Sequence, residues 1–277
     1  GDAGRLGLFT DTLQLSNSGR LSSGSFIDPI TKEIPSGRGG IVSIEGYKNP
    51  GTSITIDGAD SGIFTSAQGT GPAGNIEITA TSVTLQNGGT LSAETTGTSP
   101  KATGGSIIIN ATEQVKLDNG ASITASSKGP ADAGKIDINA GQQLDVENSK
   151  ITTEADRSKA GDIDIRAIDR IMLVNGEISS SVHSGAGRGG NITIDPKTVI
   201  LQDNSTIFAQ ARQGSGGDIT ITTPVYLIDQ TSRVNADSQF GLNGSVTIQS
   251  PTSNLSGTVG QLASMTRMPQ KLQQNRY

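Results

Sequence analysis

The chain contains no cysteine and no tryptophan, and only 3% of its residues are aromatic. Without cysteine there is no disulfide and no thiolate metal site within these 277 residues, and the redox compartment stays open. So few rings exclude a bulky aromatic core, so the interior must be built from Ile, Val, Leu and Ala. The single histidine, His183, cannot assemble a multi-histidine metal site. No apolar run approaches the roughly 20 residues of a membrane-crossing helix. The net charge is −5 with both signs scattered, which excludes the clustered Lys and Arg that nucleic acid requires. One local exception is the C-terminal end, where no acidic residue follows Asp237 but Arg267, Lys271 and Arg276 occur. No Gly-X-Y triplet period is present, which excludes collagen.

What is abundant is glycine, at 37 residues, and it is periodic. Seven times the chain writes Gly, one residue, then two aliphatics flanking a single residue, beginning at Gly74, Gly105, Gly134, Gly161, Gly190, Gly217 and Gly244. The spacings are 31, 29, 27, 29, 27 and 27 residues. A fixed period of this length marks a solenoid in which each repeat buries its apolar face on its neighbours.

Each repeat carries three alternating apolar signals, the mark of half-buried strands. In the repeat from Gly74 they are Ile76/Ile78, Val83/Leu85 and Leu91/Ala93. The second signal continues through Val115/Leu117, Leu144/Val146, Ile171/Leu173 and Val199/Leu201 to Val225/Leu227. Helix is a poor alternative, because the apolar spacing is two and β-branched residues and glycine abound. The expected fold is therefore all-β: a right-handed parallel β-helix of about nine coils of 27–36 residues, three short strands per coil. It is placed over residues 1–250, with a tail over 251–277. The sequence opens without Met and shows no signal peptide, which reads as a mature fragment or excised segment.

The turn after the second strand repeats in phase at Asn17, Asn87, Asn119, Asn148 and Asn175, then at Asp203 and Asp229. Asn tolerates left-handed backbone, and its amide could equally bond the copies above and below; both roles are structural. Loop length varies at one corner, between the third strand and the next repeat glycine, as in 95–104, 126–133, 155–160 and 182–189. A longer example, 24–39, holds Pro29 and Pro35. Partner recognition is expected at this corner and the adjacent outward faces.

Candidate chemistry is thin. Asp137 and Asp164 occupy equivalent outward positions of neighbouring first strands, with Asp162, Lys135 and Arg166 nearby. Two such carboxylates could serve as acid and base or bind Ca²⁺, and otherwise belong to a solvated mixed-charge sheet. His183 has no Gly-x-Ser-x-Gly elbow to complete a triad and reads as a loop histidine. The glycine-rich stretch 185–190 leads into a strand, so no helix N-terminus awaits a phosphate. Thr193, Thr220 and Thr247 stack, but their neighbours Asp195, Thr222 and Gln249 break the array an ice-binding face needs. No catalytic residue and no cofactor is expected; Asp137, Asp162, Asp164 and Arg166 stand as a weak ligand face.

Residues 189–194, Gly-Gly-Asn-Ile-Thr-Ile, and 216–221, Gly-Gly-Asp-Ile-Thr-Ile, resemble the passenger repeats of filamentous-haemagglutinin-like exoproteins. So do 83–93, Val-Thr-Leu-Gln-Asn-Gly-Gly-Thr-Leu-Ser-Ala, and the end, 253–257, running into a Gln-rich tail. The resemblance implies two-partner secretion through an outer-membrane transporter, and a place outside the cell or on the surface of a Gram-negative-type bacterium. It implies a non-enzymatic adhesive or structural fibre that meets host cells, matrix or neighbouring cells. The family's secretion domain, with its Asn-Pro-Asn-Gly-like signature, has no match here, so this would be a C-terminal passenger segment. End-to-end self-association, with 262–277 bridging to the next subunit, fits the same picture. The alternative is a carbohydrate-active or glycan-binding β-helix using the first-strand sheet.

Overall fold

The structure, a computed structural model, describes residues 1–47 and 53–253. All of its regular secondary structure is strand, and every pairing between strands is parallel. The chain winds as a right-handed parallel β-helix. Third strands stack eight high, from Arg20–Ser22 to Arg233–Asn235, and the chain makes seven turns between them. A partial rung of Val246–Gln249 and Thr252–Ser253 follows, so the count falls slightly short of nine coils. The ladder also runs past residue 250, while 254–277, including the basic tail, lie outside the described residues.

The alternation in the sequence becomes the core directly. Ile76, Ile107, Ile136, Ile163, Ile192 and Ile219 form one inward column, and Ile78, Ile109, Ile138, Ile165, Ile194 and Ile221 a second. All twelve are at most 1% exposed, so one apolar side chain stacks on another about every 4.8 Å. Burying each contributes about 1.5–3 kcal/mol.

Three features depart from the simple coil. First, Ile76–Gln86 and Ile107–Asp118 each run through the first and second strand positions without a break. The Ile107–Asp118 strand absorbs one extra residue as an irregularity opposite Ala80/Ser82. Later coils do break, at Gly141 with φ +65°, Pro196 and Pro224, residues that cannot continue a regular ladder.

Second, the expected core pair Val225/Leu227 is wrong by one residue. Val199 pairs with Tyr226 and Leu201 with Ile228. Tyr226 is buried at 8% exposure, and burial pushes its phenol up to about 12. The bulky apolar part of Tyr226 wins the inward face, while Val225 aligns with the outward Thr198. Asp229 is displaced with it. Asp203 adopts left-handed backbone at φ 55°, but Asp229 does not share that turn position. Its carboxylate instead accepts from the Asp203 N–H at 2.7 Å and the Ser232 N–H at 2.7 Å.

Third, the loop corner begins with order. Ser25, Ala67, Thr95, Ser127, Ala155, Val182, Ala211 and Ser238 form a fourth column of single parallel bridges. Ala155, Ala160, Val182 and Ala211 bury one another beneath this corner, with Ala133 against them. No periodic apolar pair marks this column, because each coil contributes only one residue to it.

The repeat glycine closes the coil. Its N–H donates to the carbonyl at the end of the third strand, as in Gly134 to Ala125 at 2.7 Å and Gly161 to Thr153 at 3.0 Å. A Cβ there would run into the carbonyl of the repeat glycine one coil below, as Gly161 would into Gly134 and Gly134 into Gly105. Where the inward residue is Thr65 or Thr153, its hydroxyl donates to the same glycine's carbonyl at 2.8 and 2.7 Å. The next residue stitches the coils: Asn75 accepts from the Ser106 N–H at 3.0 Å, Asp162 from Asn191 at 2.8 Å and Asn191 from Asp218 at 3.0 Å.

At the Asn turn both roles are present. Asn17, Asn87, Asn119, Asn148 and Asn175 all lie at φ between 46° and 53°. Asn119 donates to Asn87 at 2.7 Å, Asn175 to Asn148 at 2.8 Å, and Asn87 to Asp57 at 2.8 Å. Asn119→Ala removes a ladder bond and forces Ala into left-handed backbone, at a cost of about 1–2 kcal/mol. Asn119→Gly keeps the backbone and is expected to cost less. Urea midpoints of the two variants check this ordering.

Candidate functional site

The first-strand face brings Asp137 and Asp164 side by side, as their spacing requires. It then consumes them in ion pairs. Lys135 lies 2.7 Å from Asp164 and 3.7 Å from Asp137, and Arg166 lies 3.3 Å from Asp137. The hydrogen bond to Asp164 holds the Lys135 ammonium above its ordinary range, against the opposing pull of burial. Above and below, the same outward column carries Ile108 and Thr193, so no third carboxylate joins. Asp162 lies in the coil-stitching column, 3.7 Å from Lys159, and its charge also acts on Lys135. Among the described residues no cluster of three or more His, Asp or Glu side chains could hold a metal ion. Thr193, Thr220 and Thr247 stack as expected.

A concave surface lies elsewhere, on the outward face of the third strands where they meet the fourth column. Two clefts open there, of about 510 Å³ and about 240 Å³. They share Glu154 and His183, which form the ridge between them. His183 Nε2 lies 3.2 Å from Glu154 Oε2, and the Ser179 hydroxyl donates to Glu154 Oε1 at 2.9 Å. Burial pushes the Glu154 carboxyl up, but the hydrogen bonds from His183 and Ser179 outweigh it and hold it below its ordinary value. The bond to Glu154 raises the His183 imidazole. Burial, reinforced by Glu154, raises Glu177 one coil above, with Lys150 and His183 opposing.

This pair has a pH signature. A raised histidine contributes stability below its unfolded value of 6.5 that is lost as pH rises through its folded value. A lowered carboxyl contributes above its unfolded value of 4.5, and that contribution is lost as pH falls. The pair is therefore strongest between pH 4.5 and 6.5, with Asp156, Glu177 and Lys150 also facing it. Because His183 is 56% exposed, water screens it, and His183→Ala is expected to cost no more than about 1 kcal/mol at pH 5.5. The cost should shrink as pH rises through the folded value; melting curves at pH 5.5 and pH 8 check this.

The face is lined by hydroxyls and amides at strand spacing. Ser92, Thr124, Thr152, Ser179, Phe208 and Asn235 form its central column on the side away from the core, with Ser92, Thr152 and Ser179 buried there. Thr90 and Ser122 hydroxyls lie 3.1 Å apart across neighbouring coils. His183 was visible in the sequence only as a lone loop residue, and Glu154, Glu177 and Phe208 were not singled out. The signal was available: they occupy the non-core positions of, or directly after, the third-strand pattern. Comparisons with family models, with curated proteins and with solved structures find no match to this chain.

Proposed function

We propose that this chain is a non-catalytic structural and adhesive rod, a passenger segment of a secreted or cell-surface exoprotein. The observation that carries this reading is the unbroken ladder, whose aligned carboxylates Asp137 and Asp164 are each neutralised by a basic neighbour. A rigid stack with variable outward residues is suited to presenting surface, and the repeat phrases at 189–194 and 216–221 support the filamentous-haemagglutinin-like family. On that resemblance, export runs through an outer-membrane transporter of a Gram-negative-type bacterium, and the contacts are host cells, matrix or neighbouring cells. End-to-end assembly belongs to the same reading.

The test is turnover. Incubation with acidic and neutral polysaccharides should release no new chain ends. Turnover that disappears in Asp137→Asn or Asp164→Asn would replace the rod with the second reading, a carbohydrate-active β-helix working on its first-strand face. Sedimentation at rising concentration addresses assembly separately: association supports it, and a strict monomer removes it.

A further inference from the structure

We propose that the third-strand face, from the Glu94–Lys128 pair across the Glu154–His183 ridge to Phe208 and Gln210, binds a neutral linear oligosaccharide lying along the helix axis. This goes beyond the rod reading by naming the surface and the ligand chemistry through which the rod would adhere.

Three observations carry it. The two clefts are contiguous across one ridge and run over successive coils, so the surface is a groove rather than an isolated dent. Its side chains recur at about 4.8 Å, roughly the length of one pyranose unit, and Ser122, Thr124, Glu177 and Gln210 are the half-buried polar groups that a chain of sugars would meet. Among the described residues Phe208 is the one Phe, Tyr or Trp side chain lining either cleft, in a chain with only five Phe and three Tyr. It is half-buried and flanked in its column by Ser179 and Asn235, so the accessible part of its ring offers an apolar platform among polar groups. Sugar rings present the matching pair of faces: a C–H face for an aromatic ring and hydroxyl edges for carboxylates and amides.

The same residues exclude competing ligands. Among the described residues carboxylates outnumber Lys and Arg side chains along both clefts, and Glu94 already holds Lys128 at 2.7 Å. A polyanionic chain would therefore meet Glu177, Asp156 and Asp237 with little left to neutralise it. A peptide adding as a β-strand needs a free sheet edge. Here the third-strand backbones are already paired on both sides through the middle of the stack. What remains is recognition by side chains, through charged acceptors, hydroxyls and one ring.

The experiment is calorimetric titration of the full chain with cellohexaose, mannohexaose, xylohexaose and maltohexaose, with hexagalacturonate as the anionic comparator. Saturable binding of at least one neutral hexasaccharide, tighter than hexagalacturonate, is expected. Phe208→Ala should weaken it about tenfold, the order expected for a lost aromatic contact. Glu177→Gln, which keeps size and shape, should weaken it as well, and Thr220→Ala on the first-strand face should leave it unchanged. Melting curves establish that each variant is folded. The proposal is overturned if no neutral oligosaccharide binds, if hexagalacturonate binds more tightly, or if Glu177→Gln and Phe208→Ala both bind like the parent chain. A protein that binds no sugar and releases no chain ends would defeat this proposal while leaving the rod reading in place.

Discussion

Gly161→Ala is expected to destabilise the protein by about 3 kcal/mol or more, far beyond an ordinary glycine-to-alanine change. The reason is not backbone conformation, because the glycine repeat has no left-handed φ at this position. The new Cβ would sit on the carbonyl of Gly134 in the coil below, and that carbonyl is fixed backbone. Relief requires the coils to separate locally, which also strains the 3.0 Å bond from Gly161 N–H to Thr153 and the 2.7 Å bond from the Thr153 hydroxyl. Gly120→Ala is the control. Its φ of +81° makes alanine costly by about 1–2 kcal/mol, but the nearest atom to its Cβ lies 3.8 Å away. Guanidinium midpoints should therefore rank Gly161→Ala well below Gly120→Ala, and equal losses would remove the packing explanation for the repeat glycine.

The second large effect is expected at Ile138→Ala. Ile138 is fully buried between Ile109 and Ile165 in a thin aliphatic core with few large neighbours able to fill a gap. A loss of about 2–5 kcal/mol should follow, with unfolding concentrated in the adjacent coils because a solenoid couples only neighbours. The adjacent outward residue supplies the comparison: Asp137→Ala breaks only exposed ion pairs to Lys135 and Arg166 and should cost less than about 1 kcal/mol. Chemical denaturation of both variants reads the contrast between the two faces of one strand.

How much of this was legible in the sequence varies by residue. The Ile columns, the repeat glycines and the Asn turns were readable because each recurs once per coil and has a single physical cause. Tyr226 was not: Val225 and Leu227 offered an equally good alternation, and only packing area inside the coil selects the other register. The fourth column, from Ser25 to Ser238, escaped because one residue per coil carries no period-two signal. The candidate site divides in the same way. Sequence spacing aligned Asp137 with Asp164, but could not say that Lys135 and Arg166 would neutralise them. It left Glu154, Glu177 and Phe208 unconnected, because they occupy different outward positions of, or just after, successive third strands and no single recurring residue marks them.

Residue-resolved amide hydrogen exchange tests the central claim, that one continuous solenoid leaves function to its outward surface. Protection should recur once per coil in all three strand columns, and in the bridge column at Ala67, Thr95, Ser127, Ala155, Val182 and Ala211. It should be strongest in the middle coils around Ile138 and Ile165 and weakest in the first and last rungs. Protection confined to one block of coils, or absent from the bridge column, would contradict the unbroken ladder and the groove built on it.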